Sequence, residues 1–227
     1  MVGGLWRLWK CRNSLVFEKV AVDPLTAIHL LKQQWEEWVI SDEAQVQPLS
    51  RGQLVRAPAP HQWIKPPFGT LKVNCDGAWC SRTGIGGVGW VARDFVGIFN
   101  GAGGIGNMQC VSSIMAEAEA LRVALVACVA KGFTFIQLET DSQVLVDMIH
   151  GRIQPEVILD GILWDISILK QQFVAIEFLY TPRACNKAAH MVASYAVRMR
   201  GSHSWDGLEL EWLFNTLASD VNILIRI

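Results

Sequence analysis

The sequence lacks three features that would each restrict the possible classes of function: an excess of charge of one sign, closely spaced cysteine pairs and a long apolar run. Its 227 residues carry 20 Lys and Arg against 21 Asp and Glu, a formal net charge of −1. Residues 71–200 hold equal numbers of acidic and basic residues. A general basic field that would attract nucleic acid is therefore excluded, so any such binding must depend on local patches and metal ions.

The six cysteines, at positions 11, 75, 80, 110, 128 and 185, include no CxxC pair. This spacing argues against a disulfide framework and against a zinc site, and we expect reduced thiols in the core. Arg7, Lys10 and Arg12 interrupt the first apolar residues before a signal-peptide core can form, and the segment 221–227 is far too short to span a bilayer. We expect an intracellular protein, nuclear or cytoplasmic and not secreted, without a membrane partner.

Composition and periodicity divide the chain into four segments. They predict a helical N-terminal extension at residues 1–40, a proline-rich linker at 41–69, a globular domain at 70–200 and a C-terminal tail at 201–227. In the domain, strands are predicted at 72–76, 87–93, 97–103, 134–139 and 174–180, and helices at 112–131, 142–149, 158–171 and 186–199. This order predicts an α/β fold, a mixed five-stranded sheet flanked by helices.

Three acidic residues stand out because each follows or opens an apolar element. Asp76 follows a strand-like run, Glu117 lies near the start of a helix rich in small residues, and Asp141 follows the fourth predicted strand. Carboxylates are rarely buried unless they are paired or bind a cation, and Mg²⁺ prefers oxygen ligands. The three therefore predict a metal site suited to phosphodiester chemistry. Glu119 competes with Glu117 for the helix position, and Asp141 could instead serve the following helix as a cap.

Two glycine-rich segments satisfy the GxGxxG pattern of dinucleotide-binding loops, at residues 84–89 and 101–106. A dinucleotide site requires such a loop to follow a strand and open a helix. Neither segment opens a predicted helix, so we expect the glycines to permit close packing, and we expect no small-molecule cofactor.

Four motifs together carry a resemblance to a known family. They are Asp76-Gly77-Ala78, Ala116-Glu117 with Ala120-Leu121, Thr140-Asp141-Ser142-Gln143, and residues 186–193 with the sequence NKAAHMVA. In this order and on these predicted elements they resemble type 1 ribonuclease H over about residues 70–200. The version most similar is the ribonuclease H-like domain of plant genomes that derives from non-LTR retrotransposons.

The resemblance implies hydrolysis of the RNA strand of an RNA–DNA hybrid with two divalent metal ions. It implies that Asp76, Glu117 and Asp141 bind the metals, with Mg²⁺ as the expected ion and Mn²⁺ as an alternative. Where enzymes of the family carry a fourth carboxylate this chain has His190, which could assist catalysis, bind metal or have no ligand role. Tyr180 stands where many relatives have a histidine.

Candidate substrate contacts are Asn186, which matches a family asparagine near the cleft, Ser81 and Arg82 after the first strand, and Ser142 at a helix start. Each could equally be a solvated or capping residue. The family's basic protrusion is missing, because residues 151–160 contain Arg152 as their single basic residue. Two hypotheses therefore remain open: a hybrid-specific nuclease, and a catalytically inactive module that binds nucleic acid or protein. The oligomeric state is not predicted.

Overall fold

The computed structural model describes Asp23, residues 62–207 and residues 210–220. The chain divides between Arg56 and Ala57 into two units, and every described residue except Asp23 belongs to the second. The predicted helical extension at 1–40 and the linker residues 41–61 thus lie outside the described residues, apart from Asp23. Among the helices that the structure describes, none has the length and apolar character needed to cross a bilayer.

Six strands form one mixed sheet in the order β5-β4-β1-β2-β3-β6. Their bounds are β1 (Leu71–Cys80), β2 (Ile85–Arg93), β3 (Phe99–Gln109), β4 (Phe135–Thr140), β5 (Ala175–Tyr180) and β6 (Ser202–Trp205). The first three strands form an antiparallel meander, while β4 is parallel to β1 and β5 is parallel to β4. β1 therefore lies inside the sheet, with one antiparallel and one parallel neighbour.

Within residues 62–207 and 210–220, five α-helices pack around this sheet. Their bounds are α1 (Ser113–Ala130), α2 (Gln143–Ile149), α3 (Asp160–Lys170), α4 (Lys187–Met199) and α5 (Glu211–Asp220). Because side chains alternate along a strand, Val88 contributes to the core shared with α1, whereas Val91 lies in a second core with α4 and α5. The sheet is thus the middle of three layers.

Local sequence signals account for most element boundaries. The hydroxyl of Ser112 accepts a hydrogen bond from the amide of Met115, so Ser112 caps the start of α1. Asp94 Oδ1 accepts amide hydrogen bonds from Val96, Gly97 and Ile98, which closes the turn between β2 and β3. The strand and helix order predicted for residues 70–200 is confirmed.

The segment 101–106 lies within β3, the segment 84–89 lies within β2 except for Gly84 in the preceding turn, and neither segment opens a helix. Their glycines allow α4 to approach the sheet closely. A Cβ at Gly89 would lie 2.3 Å from the amide nitrogen of Ala193, and one at Gly106 would lie 1.9 Å from the carbonyl oxygen of Ala196. Real Cβ atoms do not tolerate such contacts, so glycine at these positions sets how near α4 lies to the sheet.

The predicted C-terminal tail, residues 201–227, contains two elements that the pattern did not indicate. The four-residue strand β6 pairs antiparallel with β3, from Ala102 opposite Trp205 to Ile105 opposite Ser202, which makes the sheet six-stranded instead of five-stranded. α5 then places Leu213 in the second core. A strand this short, alternating serine with aromatic residues, is defined by its pairing and not by local propensity.

A buried polar network links both ends of the described segment to the sheet. The fully buried Arg93 donates from Nη1 to Asp220 Oδ2 at 2.8 Å and from Nη2 to Asn74 Oδ1 at 3.1 Å. The Trp63 ring lies 3.8 Å from the guanidinium, and its indole N–H donates to the same Asn74 oxygen. Trp63 lies in the predicted linker, so the packed domain begins earlier than residue 70.

Candidate active site

Asp76 lies in the middle of β1 and is 3% exposed. The next residue, Gly77, lets the first turn of α1 pack directly on the strand, since a Cβ there would lie 2.3 Å from the carbonyl carbon of Ala116. This close approach brings Glu117, the residue after Ala116, to the side of Asp76. The small residues at 77 and 116 are therefore the local reason that a strand carboxylate and a helix carboxylate meet.

Asp141 reaches the same place through the parallel pairing of β1 with β4. Asn74 lies opposite Glu139 in this pairing; Asp76 lies two residues after Asn74 in β1, and Asp141 lies two residues after Glu139, directly beyond the end of β4. Ligand oxygens of Asp76, Glu117 and Asp141 all lie within 4.8 Å of one another. The structure thus brings together the three carboxylates that the sequence singled out.

Burial and mutual repulsion make the ionised forms of Asp76 and Glu117 unfavourable. Burial, followed by the charges of Asp76 and Asp141, raises the pKa of Glu117 to about 8. Burial is also the largest cause that raises the pKa of Asp76 to about 6, although a hydrogen bond from His190 opposes the shift. Two neighbouring carboxylates whose pKa values are both raised mark a site where negative charge is poorly compensated.

Two hydrogen bonds orient Glu117. The Thr140 hydroxyl donates to Glu117 Oε2 at 3.3 Å and accepts from the amide of Ser142 at 3.2 Å. Ser142 also caps α2, because its hydroxyl accepts from the amide of Leu145. This role of Thr140 was not predicted; its position directly before Asp141, at the end of the strand, was the available signal.

His190 lies on α4 at the edge of the cluster, with 41% of its side chain exposed. Its Nδ1 lies 2.9 Å from Asp76 Oδ2, and its Nε2 lies 3.5 Å from Nη2 of Arg183. When Asp76 is ionised, Nδ1–H donates to the carboxylate and Nε2 is left to accept from Arg183. His190 is therefore placed to orient Asp76, and the neighbouring Arg183 was not foreseen from the sequence.

Glu119, the alternative to Glu117, lies outside the cluster. Its side chain is 10% exposed and its Oε2 accepts from the guanidinium of Arg122 at 2.7 Å. This ion pair leaves Glu117 as the carboxylate from α1 that faces Asp76.

The predicted substrate contacts lie at different depths. Asn186 is 1% exposed; its Nδ2 donates to the carbonyl of Cys75 at 2.9 Å, next to Asp76. Ser81 and Arg82 are exposed in the turn after β1. Asp76 and the end of β1 at Cys80 are four residues apart, about 13 Å along an extended strand, and Arg82 follows in the turn. Asn186 is thus positioned to support β1 beside Asp76, while Arg82 lies in the turn beyond the end of the strand.

The donor set suits a hard divalent cation. Mg²⁺ and Mn²⁺ take carboxylate oxygens as ligands, and a cation among the three carboxylates would relieve the repulsion that raises the pKa values of Glu117 and Asp76. His190 adds one nitrogen at the edge of the cluster, which a hard cation accepts less readily than oxygen.

Comparisons with known proteins agree with this geometry. A family profile described as reverse transcriptase-like matches residues 74–196, more than half of the chain. The chain belongs to this family. Among curated proteins it is 28% identical over 145 residues to a protein of Arabidopsis thaliana named "Putative ribonuclease H protein", a match that covers 63% of this chain. The matched part spans 23% of that relative's length.

Similarity to solved structures identifies the fold of this reverse transcriptase-like domain. Ribonuclease H1 from the archaeon Halobacterium salinarum matches with a TM-score of 0.54 and 29% identity, covering 56% of this chain and 97% of the archaeal one. LC11 ribonuclease H1 in complex with an RNA/DNA hybrid matches with a TM-score of 0.53 and 22% identity, covering 57% and 97% of the two chains. The domain therefore has the ribonuclease H fold, as the sequence motifs indicated.

Proposed function

We propose that this domain is a metal-dependent endonuclease that hydrolyses the RNA strand of RNA–DNA hybrids. The observation that carries the proposal is the convergence of Asp76, Glu117 and Asp141 within 4.8 Å on a ribonuclease H fold. The names of the Arabidopsis and archaeal relatives support the reaction class. Hybrid recognition would depend on groove shape and 2′-hydroxyl groups, with little reading of base sequence.

Asp76, Glu117 and Asp141 would hold the divalent ions, Mg²⁺ or alternatively Mn²⁺, in a two-metal site. Such ions supply an activated water and stabilise charge on the attacking and leaving oxygens of an in-line displacement. The chain's own groups prepare this site. His190 orients Asp76 through Nδ1, Thr140 orients Glu117, and burial keeps bulk water from Asp76.

His190 could also exchange a proton at Nε2, which is the ring nitrogen that does not contact Asp76. This nitrogen lies near Arg183 on the exposed side of the cluster, where a phosphodiester would enter. Asn186 would act as a positioning residue, because its amide holds the backbone of Cys75 beside Asp76. Ser81, Arg82 and Ser142 remain proposed contacts to the substrate backbone.

The test is cleavage of an end-labelled RNA–DNA hybrid in Mg²⁺ and, separately, in Mn²⁺. Wild type is expected to cut the RNA strand, and Asp76→Asn is expected to lose cleavage while keeping its circular dichroism spectrum. Asp165→Asn, which removes a surface carboxylate on α3 that pairs with Arg122, is the matched control and should cleave normally.

Cleavage that survives Asp76→Asn would contradict the mechanism. The second candidate function is a catalytically inactive binding module, and the observation that favours it is His190 at the position of the fourth family carboxylate. Folded wild-type protein that binds the hybrid without cutting it in either metal would establish that alternative.

A further inference from the structure

The positive charge of this nearly neutral chain is concentrated near α4. Residues 178–205 contain Arg183, Lys187, Arg198 and Arg200 but no Asp or Glu, whereas the whole chain has 20 basic and 21 acidic residues. The rest of the chain is therefore net acidic. α4 and the turns at its two ends form a local positive region that the overall charge conceals.

These four cations are also unpaired, unlike most others in the domain. Lys72, Arg93, Arg122, Lys131 and Arg152 each form an ion pair with a carboxylate, but within residues 62–207 and 210–220 none of the four near α4 does. All four are exposed. Their charge is therefore free to act on a partner that approaches from solvent.

The periodicity of α4 directs this charge to one side. Its buried residues are Ala188, Ala189, Val192, Ala193 and Ala196, which pack towards the sheet and the second core. At 100° per residue, Lys187, Ser194 and Arg198 lie on the opposite side, within about 40° of one another. His190 lies at the edge of this exposed side, where it contacts Asp76.

A groove lies between this helix and the end of β1. Its volume is about 380 Å³, and it is lined by Ala78, Trp79, Cys80, Ser194, Val197 and Arg198. Ala78 and Cys80 follow Asp76 on the same side of β1, and Ser194 and Arg198 follow His190 on the same side of α4. The strand and the helix thus form the two walls of the groove, and both walls continue in the direction that leads away from Asp76 and His190.

The length of the path suits a nucleic-acid strand. From His190 to Arg198 the helix rises about 12 Å, at 1.5 Å per residue. That corresponds to about three or four base steps at 3.4 Å each. The hydroxyl of Ser194 and the guanidinium of Arg198 are groups that commonly bind phosphate and sugar oxygens.

We propose that the exposed side of α4, formed by Lys187, Ser194 and Arg198, is a second nucleic-acid contact surface that holds the sugar–phosphate backbone beyond the carboxylate cluster. This inference rests on the proposed function, since it extends the path of the same substrate. The surface supplies the electrostatic attraction that the missing basic protrusion does not. The surface recognises the charge and spacing of phosphates, so it is expected to bind nucleic acid without sequence preference.

The test measures binding separately from cleavage. A fluorescently labelled RNA–DNA hybrid is titrated in EDTA, by anisotropy, over a series of salt concentrations. For wild type, log K falls linearly with log salt, and Arg198→Gln is expected to reduce the slope by about 0.9 because one phosphate contact is lost. The double variant Lys187→Gln with Arg198→Gln should reduce it by about 1.8.

Lys170→Gln is the matched control. Lys170, like Arg198, is an exposed cation in the last turn of a helix, so both substitutions remove the same charge from the same helical position. The control is expected to bind with the wild-type slope. Equal effects of Arg198→Gln and Lys170→Gln, or no effect of either, would overturn the proposal.

The two proposals fail in different ways. If wild type binds the hybrid but cuts it in no metal, the nuclease is refuted while the dependence on Arg198 still tests the surface. If wild type cuts the hybrid and Arg198→Gln binds and cuts like wild type, the surface on α4 is refuted and the nuclease stands. Hybrid that wild type does not bind at any salt concentration would overturn both.

Discussion

Metal binding to the carboxylate cluster should release about one proton at pH 7. With its pKa raised to about 8, Glu117 is about nine-tenths protonated at this pH, whereas Asp76, at about 6, is about one-tenth protonated. A divalent ion requires both as carboxylates and must displace those protons. The total is about one proton per protein at pH 7, falling to about a tenth at pH 9, where both groups are already ionised.

The number of protons released on metal binding is measured by isothermal titration calorimetry with Mg²⁺ or Mn²⁺ in phosphate and in Tris buffer. The two buffers take up a proton with very different enthalpies, so the difference in observed heat gives that number. The metal affinity should rise about tenfold per pH unit between about pH 6 and 8 and level off above. Glu117→Gln is the control, since its amide carries no titrating proton, and its proton release at pH 7 should fall to about a tenth.

The same shift sets the sign of the stability change with pH. The raised pKa of Glu117 means that the folded state holds its proton more tightly than the unfolded chain, whose ordinary value is 4.5. The contribution of Glu117 to the stability of the metal-free protein is therefore fully present below about pH 4.5 and is lost as the pH rises to about 8. Thermal stabilisation by metal should grow over that range. Metal binding without proton release at pH 7, or equal release from Glu117→Gln, would refute this reasoning.

Two further predictions concern the framework around the site. Arg93→Met leaves the carboxylate of Asp220 buried without its partner and should lower the free energy of unfolding, measured by urea titration, by about 3–5 kcal/mol. Arg122→Met, at an ion pair nearer the surface, should lower it by about 1 kcal/mol or less. Equal losses in the two variants would contradict the role of burial. Gly106→Ala should destabilise the domain through its contact with α4, while Gly161→Ala, which meets nothing within 4 Å, should stabilise α3 by about 0.5–1 kcal/mol. Thermal melts of both alanine variants check this pair, and a Gly106→Ala protein as stable as wild type would show that α4 can shift.

The parts of this molecule that were predictable depend on local signals. Ser112 before an apolar helix and Asp94 before a glycine indicate a cap and a turn in any fold, and both serve so here. The positions of Asp76 and Asp141 at equivalent points of neighbouring parallel strands follow from the strand order, so the cluster could be expected once the resemblance supplied the topology.

The parts that were missed depend on contacts between distant residues. β6 is a strand because it pairs with β3, and a pattern of only four residues is too short to predict that pairing. The burial of Arg93 requires Trp63 and Asp220, which lie 30 residues before it and 127 residues after it. The positive side of α4 could have been found earlier by counting charge element by element instead of over the whole domain, where it cancels.

The ion pair between Arg93 and Asp220 also has a consequence for synthesis. The ribosome makes β2 long before α5, so Arg93 has no carboxylate partner, and Leu213 and Leu217 are absent from the second core, until the last described helix emerges. Until then the central strands have an unpaired guanidinium and an uncovered apolar face, and a partly folded chain of this kind is prone to aggregate. Translation that stalls before residue 220 would leave a chain with all three cluster carboxylates and an unfinished fold.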